Sequence, residues 1–313
     1  MQPYDWMVKY TPQTEWIKRR GLFLWLAFFF IELGAGMFIV SSFFGSYSSV
    51  LAGWLICALL GGGLHLRFLG KPQRTWRMII SSGWKTSWIS RGLVFVSLFL
   101  LTGLASLVWA VWSTPPVGLL IVADILAFLT VIYAGFAMNF VNGIPLWNTA
   151  FLPVLYVISG LWGGAELTLG FSLAGGISSD TATVEGWIRL LMIGFVVLIP
   201  VYLMSIRYTS ATGRASVQQM VTGQFSMLFW LGAVLAGMAV PASAVIFSYA
   251  NGLEATPLLF ITLAILCGLA GDLTVRYLIL RCGLYSPLIP AGTAQFQNSK
   301  PGAQNSQLRP QNK

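Results

Sequence analysis

The chain has 313 residues, of which 57% are hydrophobic and only 9% charged. Soluble domains carry about 25% charged residues, so water is excluded as the main solvent of this surface. The formal charge of +9 comes from basic residues gathered at one set of helix ends, a topology signal rather than a nucleic-acid surface.

Residues 1–20 carry Tyr4, Trp6, Tyr10 and Trp16 among polar neighbours, which suits an interfacial segment lying along lipid headgroups. This stretch does not read as a cleavable signal peptide, because the span that follows is too long for an h-region. Windows of about 20 apolar residues then place spans over Gly21–Phe44, Val50–Leu69, Gly92–Trp112 and Gly118–Asn139. Four more follow over Thr149–Phe171, Trp187–Ile206, Phe225–Phe247 and Leu258–Leu280. A backbone in lipid must satisfy its own hydrogen bonds, and no alternating pattern suggests a barrel. The expectation is an all-α polytopic membrane protein with eight transmembrane helices. They divide into two four-helix bundles, residues 21–139 and 140–283, across the Asn139–Asn148 connection. Gly160 and Gly164, four apart in the fifth span, permit close helix approach. Residues 284–313 form a Gln/Asn/Ser-rich tail that reads as disordered.

The basic residues orient the spans. Lys9, Lys18, Arg19 and Arg20 precede the first, and Arg67, Lys71, Arg74, Arg77, Lys85 and Arg91 surround the connection between the second and third. Arg207 and Arg214 follow the sixth, while Arg276, Arg281, Lys300, Arg309 and Lys313 mark the C-terminal end. The opposite connections contain no Lys or Arg, and only Arg189 sits near that face. The positive-inside rule then puts both termini in the cytoplasm. Trp76, Trp84 and Trp88 would anchor the long basic loop at the membrane surface. Cys57, Cys267 and Cys282 have no paired spacing and read as inert thiols. With three Cys and one His, the chain lacks the ligands for an iron–sulfur cluster or bis-His haem of its own.

An ionisable group inside a span costs about 2.5–3.5 kcal/mol on insertion scales, so each needs a reason. Glu32 lies mid-span beside the small run Gly34-Ala35-Gly36. It reads as a proton-accepting or ligand-contacting carboxylate facing a cavity, or as a protonated acid making one interhelical hydrogen bond. His65, after Gly61-Gly62-Gly63, can pass a proton near neutral pH or bond a neighbouring backbone carbonyl. Tyr133 reads as an interfacial belt residue that also offers an aromatic face and a donor hydroxyl. Asp272 and Arg276, one helical turn apart, are expected to pair internally. Asp124 and Glu166 lie nearer the outer face, where solvent could reach them. Glu32, Asp124 and Asp272 are the candidate parts of a proton path.

Two stretches carry a family resemblance. One is Gly61-Gly62-Gly63 through His65, Arg67 and the Gly70-Lys71-Pro72 loop to Arg77, followed by Ser87-Trp88-Ile89-Ser90-Arg91. The other runs from Tyr133-Ala134-Gly135 through Pro145-Leu146-Trp147-Asn148 to Leu152-Pro153 and Ser159-Gly160. Together with Glu32-Leu33-Gly34-Ala35-Gly36, they resemble the polysulfide reductase membrane-subunit family, also called NrfD-like, over residues 15–280. The resemblance implies a quinone-reactive (menaquinone or ubiquinone) membrane subunit of a respiratory oxidoreductase in the cytoplasmic membrane of a prokaryote. It implies a partner iron–sulfur subunit with 4Fe–4S clusters and a catalytic subunit, often a molybdopterin enzyme. It also raises Tyr133 to a quinone contact. Some members use a histidine early in the first span. Ala27 or a neighbour stands there in this chain, which leaves His65 and Glu32 as the candidate proton donors.

Quinone reduction needs two electrons and two protons, with a donor facing each carbonyl. The expected arrangement is a pocket among spans one to four, with Tyr133 and His65 at the quinone head and Glu32 relaying protons. Arg67 and Arg91 would stand at the rim, stabilising anionic quinone species or binding headgroups. The iron–sulfur partner would dock on the cytoplasmic face over the basic loop. A proton-coupled secondary transporter is the competing reading. It would call for inverted repeats with paired broken helices, and the sequence has neither.

Overall fold

The computed structural model describes residues 12–80, 82–175 and 180–286, and among them every regular element is helical. Among these residues eight helices are long and apolar enough to cross a membrane: Arg20–Phe43, Tyr47–Leu69, Trp88–Ala110, Val117–Asn139, Phe151–Gly175, Thr181–Thr209, Leu228–Asn251 and Leu258–Cys282. Each overlaps one expected window. Tyr4, Trp6, Lys9 and Tyr10, together with the tail from residue 287 that carries Lys300, Arg309 and Lys313, lie outside the described residues. Large apolar side chains stand on the outer surface, among them Leu59 at 66%, Leu190 at 69% and Leu259 at 80% exposure. Soluble proteins rarely leave such continuous apolar surface uncovered; here the bilayer covers it, and the chain is a multi-pass membrane protein.

The first span is the axis of the fold. In its most apolar window 72% of residues are buried, against 22% in the third span. Lipid tails are as apolar as leucine, so helices in a bilayer associate through tight packing, and small residues permit it. A Cβ on Gly34 would stand 2.4 Å from the Cys57 amide nitrogen in the second span. One on Gly36 would stand 2.1 Å from the Gly160 carbonyl oxygen in the fifth, and one on Gly164 2.3 Å from the Gly36 carbonyl carbon. The Gly160/Gly164 pair thus cradles Gly36. Further along the same two helices, the Ser41 and Thr168 hydroxyls lie 2.9 Å apart. Spans one and five therefore share one core across the Asn139–Asn148 connection.

That connection is stapled to the interior. Ile144, Leu146 and Trp147 are buried. The Trp147 indole donates to the Ile279 carbonyl at 2.7 Å, and Tyr202 donates to the Leu146 carbonyl at 2.6 Å. Trp147 also meets Trp16 edge-on at 5.2 Å, which ties the N-terminal segment to the last span. Two stretches depart from α-helical winding: Ile56–Gly62 in the second span and Leu228–Ala239 in the seventh are π-helical. Such widened turns often mark functional sites.

Candidate functional site

The first span presents two faces with different chemistry. Phe28 and Ile31, three residues apart, point one way, and Phe29 and Glu32 point about 100° round the helix from them.

On the Phe28/Ile31 side lies a cavity of about 160 Å³ among the first four spans. Ile31 comes from the first, Ala58, Gly62, His65 and Leu66 from the second, Val96 and Leu100 from the third, and Tyr133 from the fourth. The π-helical stretch of the second span brings Ala58 and Gly62 to its wall. His65 and Tyr133 are both buried. The Tyr133 hydroxyl lies 3.3 Å from His65 Nε2 and 3.4 Å from Nδ1. Phe28 packs against both, with ring centroids 5.9 Å from Tyr133 and 6.1 Å from His65. An O–H···N contact of that length is loose compared with a well-formed one near 2.8 Å, so the two groups face each other without being locked together. The Tyr133 ring packs directly against Gly92, where a Cβ would fall 2.0 Å from Tyr133 Cδ2. Any residue larger than glycine at 92 would occupy the ring's place.

On the Phe29/Glu32 side, Glu32 is wholly buried and Arg276 is 2% exposed. Arg276 Nη1 lies 2.6 Å from Glu32 Oε2. Its Nε donates to Asp272 Oδ2 at 3.0 Å, and its Nη2 to the Ser159 hydroxyl at 2.6 Å. The guanidinium also lies over Tyr156, 4.4 Å from the ring centre, and near Phe29 at 5.8 Å. A lone buried cation would be expensive; here it is held by two carboxylates, a hydroxyl and two aromatic faces. Glu32 Oε1 has no hydrogen-bond partner among the described residues. With both carboxylates ionised the cluster sums to −1, so it can accept one proton and become neutral.

The structure thus brings together His65 and Tyr133 in one place, and Glu32 and Asp272 in another. Asp124 stands apart, half-buried, and accepts from the Ser42 hydroxyl at 2.8 and 2.9 Å. Glu166, expected near solvent, is 3% exposed. Its carboxylate lies over Gly268, where a Cβ would fall 2.7 Å from Oε1, so the missing side chain makes room for it. Arg67 is exposed and covers Phe23 at 5.0 Å. Arg91 lies over Trp88 at 4.8 Å and donates from Nε to the Trp84 carbonyl at 3.0 Å, bracing the basic loop. Neither arginine lines the cavity.

Sequence reasoning missed the centre of the cluster. Asp272 and Arg276 announced themselves by spacing, but Glu32 is separated from Arg276 by most of the chain. The available signal was chemical: a mid-span carboxylate requires a cation or a proton. Ser159, Tyr156 and Gly92 gave no such signal.

A family model described as polysulphide reductase, NrfD, matches residues 19–287. The sequence is also similar to a polysulfide reductase subunit of Wolinella succinogenes, at 30% identity over 173 residues. That alignment covers 52% of each protein, so this protein spans about half the length of the curated relative it matches.

Proposed function

The chain belongs to the NrfD polysulphide reductase family, and from that premise we propose that it is the quinone-reactive membrane subunit of a respiratory oxidoreductase. The observation that carries this reading is the pair His65 and Tyr133, facing each other at 3.3 Å on a cavity among the first four spans. A quinone head is a flat ring with two carbonyls. It needs apolar walls, an aromatic face and a donor for the oxygen that gains a proton. Ile31, Val96 and Leu100 supply walls, and Tyr133 supplies both face and donor. Leu66, 40% exposed at the rim, leaves room for an isoprenoid tail to pass into lipid.

Reduction of the quinone consumes two electrons and two protons. Tyr133 donates a hydrogen bond to one carbonyl, and His65, behind it, resupplies the proton. Glu32 backs onto the same stretch of the first span and draws on the Arg276–Asp272 cluster as a proton store. Asp124 would stand nearer the opposite face of the proposed proton path. Electrons come from, or go to, a partner iron–sulfur subunit and, through it, a catalytic subunit of the molybdopterin kind. That partner docks on the cytoplasmic face over the exposed Arg67, Lys71, Arg74 and Arg77. The protein then resides in the cytoplasmic membrane with both termini inside.

The buried charge cluster would equally serve a proton-coupled transporter. The two π-helical stretches fall in the second span of the first four and the third of the last four, which is not the paired pattern of a broken-helix repeat. The deciding experiment purifies the assembled complex in mild detergent, with quinone extraction and iron analysis. A co-purifying iron–sulfur protein with bound quinone is expected. Tyr133→Phe should then lower quinone-linked turnover about a hundredfold, the scale of a lost proton donor. If Tyr133→Phe and Glu32→Gln both left turnover intact, this pocket would be the wrong one.

A further inference from the structure

A second, larger cavity has no part in that reading. It is a groove of about 580 Å³ between the sixth span, the helix Ala211–Val221 and the π-helical half of the seventh span. Its floor is buried and apolar, with Ile199, Leu203, Val217 and Phe229 each below 9% exposure. Pro200 stands within the continuous sixth span along it, and the Trp230 indole donates to the Val221 carbonyl at 3.0 Å to close one side. Arg207 and Arg214 both line the groove and are exposed. No acidic residue lines it, and neither arginine is ion-paired among the described residues.

We propose that this groove is a binding site for an anionic phospholipid, with the headgroup phosphate on Arg207 and Arg214 and an acyl tail along the apolar floor. The charge pattern selects this occupant. Two unpaired guanidinium groups at one end of an apolar trough match a molecule that is anionic at one end and hydrocarbon along the rest. A helix from another subunit would need an acid placed opposite the pair, and a quinone tail carries no anion to meet it. Both arginines lie on the basic side of the topology, where the anionic leaflet of a cytoplasmic membrane is found.

The test is native mass spectrometry of the purified protein, delipidated and then titrated with equal concentrations of phosphatidylglycerol or phosphatidylcholine. One tightly held phosphatidylglycerol is expected, at roughly tenfold or better preference. Arg207→Gln with Arg214→Gln should abolish the preference, whereas Lys71→Gln with Arg74→Gln in the exposed loop should keep it. Val234→Trp, which fills the groove and leaves both arginines, should reduce retention of either lipid. Equal retention of the two lipids by the wild type would overturn the proposal, as would an unchanged preference in the double arginine variant. A co-purifying polypeptide cross-linked through position 230 would also overturn it, by assigning the groove to a partner helix.

Discussion

Gly92→Ala is the sharpest test of the cavity, because it adds one methyl group at a known distance. That carbon would stand 2.0 Å from Tyr133 Cδ2, where ordinary contact begins at 3.4 Å. The tyrosine ring must retreat by about 1.4 Å, or the third and fourth spans must part by as much. Phe28 and His65 also pack edge-on with the ring, so it cannot move freely. Overpacking of this kind costs about 1–3 kcal/mol of stability. A displacement near 1 Å at a reacting group lowers rate on the order of a hundredfold. Gly63→Ala is the matched control, since a Cβ there meets nothing within 4 Å. Quinone-linked turnover of membranes carrying the assembled complex should fall tenfold to a hundredfold in Gly92→Ala and stay at the wild-type level in Gly63→Ala. Binding of a quinone analogue to the purified protein should weaken in parallel, separating a damaged pocket from poor assembly. If the two alanine variants behaved alike in both assays, Tyr133 would not be working where the cavity places it.

Arg276→Gln strands two buried carboxylates and should cost about 3–5 kcal/mol, read as a lower thermal midpoint in detergent; adding Glu32→Gln and Asp272→Asn to it should recover part of the loss. Gly36→Ala drives a methyl group to within 2.1 Å of the Gly160 carbonyl oxygen and should destabilise the contact between spans one and five, while Gly118→Ala, with nothing within 4 Å, should leave the melting temperature unchanged. For orientation, Glu254→Cys should react with a membrane-impermeant thiol reagent in intact cells and Lys85→Cys should not, in a background without the native cysteines; the opposite pattern would invert the topology.

The sequence could place the spans because lipid allows a backbone few other ways to satisfy itself, so twenty apolar residues in a row have almost one meaning. Contacts between spans are another matter. Gly36 against Gly160 and Gly164 was half legible, since a four-residue spacing of glycines permits close approach, but nothing in the sequence matched that spacing to the Gly34-Ala35-Gly36 run of the first span. The π-helical turns at Ile56–Gly62 and Leu228–Ala239 are invisible to a hydropathy window, which counts apolar residues whatever their winding. Glu166 was misjudged because position along a span gives depth in the membrane and says nothing of which way the side chain turns. His65 and Tyr133 drew notice by chemical type and were expected at one pocket, and the fold sets their rings on one cavity wall with Phe28 of the first span against both.

The first span joins the two candidate sites mechanically as well as spatially. Phe28 and Ile31 touch the His65–Tyr133 cavity, while Phe29 and Glu32 touch the Arg276 cluster. About one turn further on, Gly34 and Gly36 seat the same helix against the second and fifth spans at backbone contact. A helix gripped so closely cannot rotate without breaking those contacts, so a ligand that pushes on Phe28 or Ile31 is resisted by the whole core. On the proposed reading, Glu32 answers chemistry in the cavity by gaining or losing a proton rather than by a movement of the helix. Under this arrangement Gly36→Ala should impair turnover and stability together, whereas Glu32→Gln should impair turnover with little loss of stability, because a neutral amide keeps the shape and can still accept from Arg276.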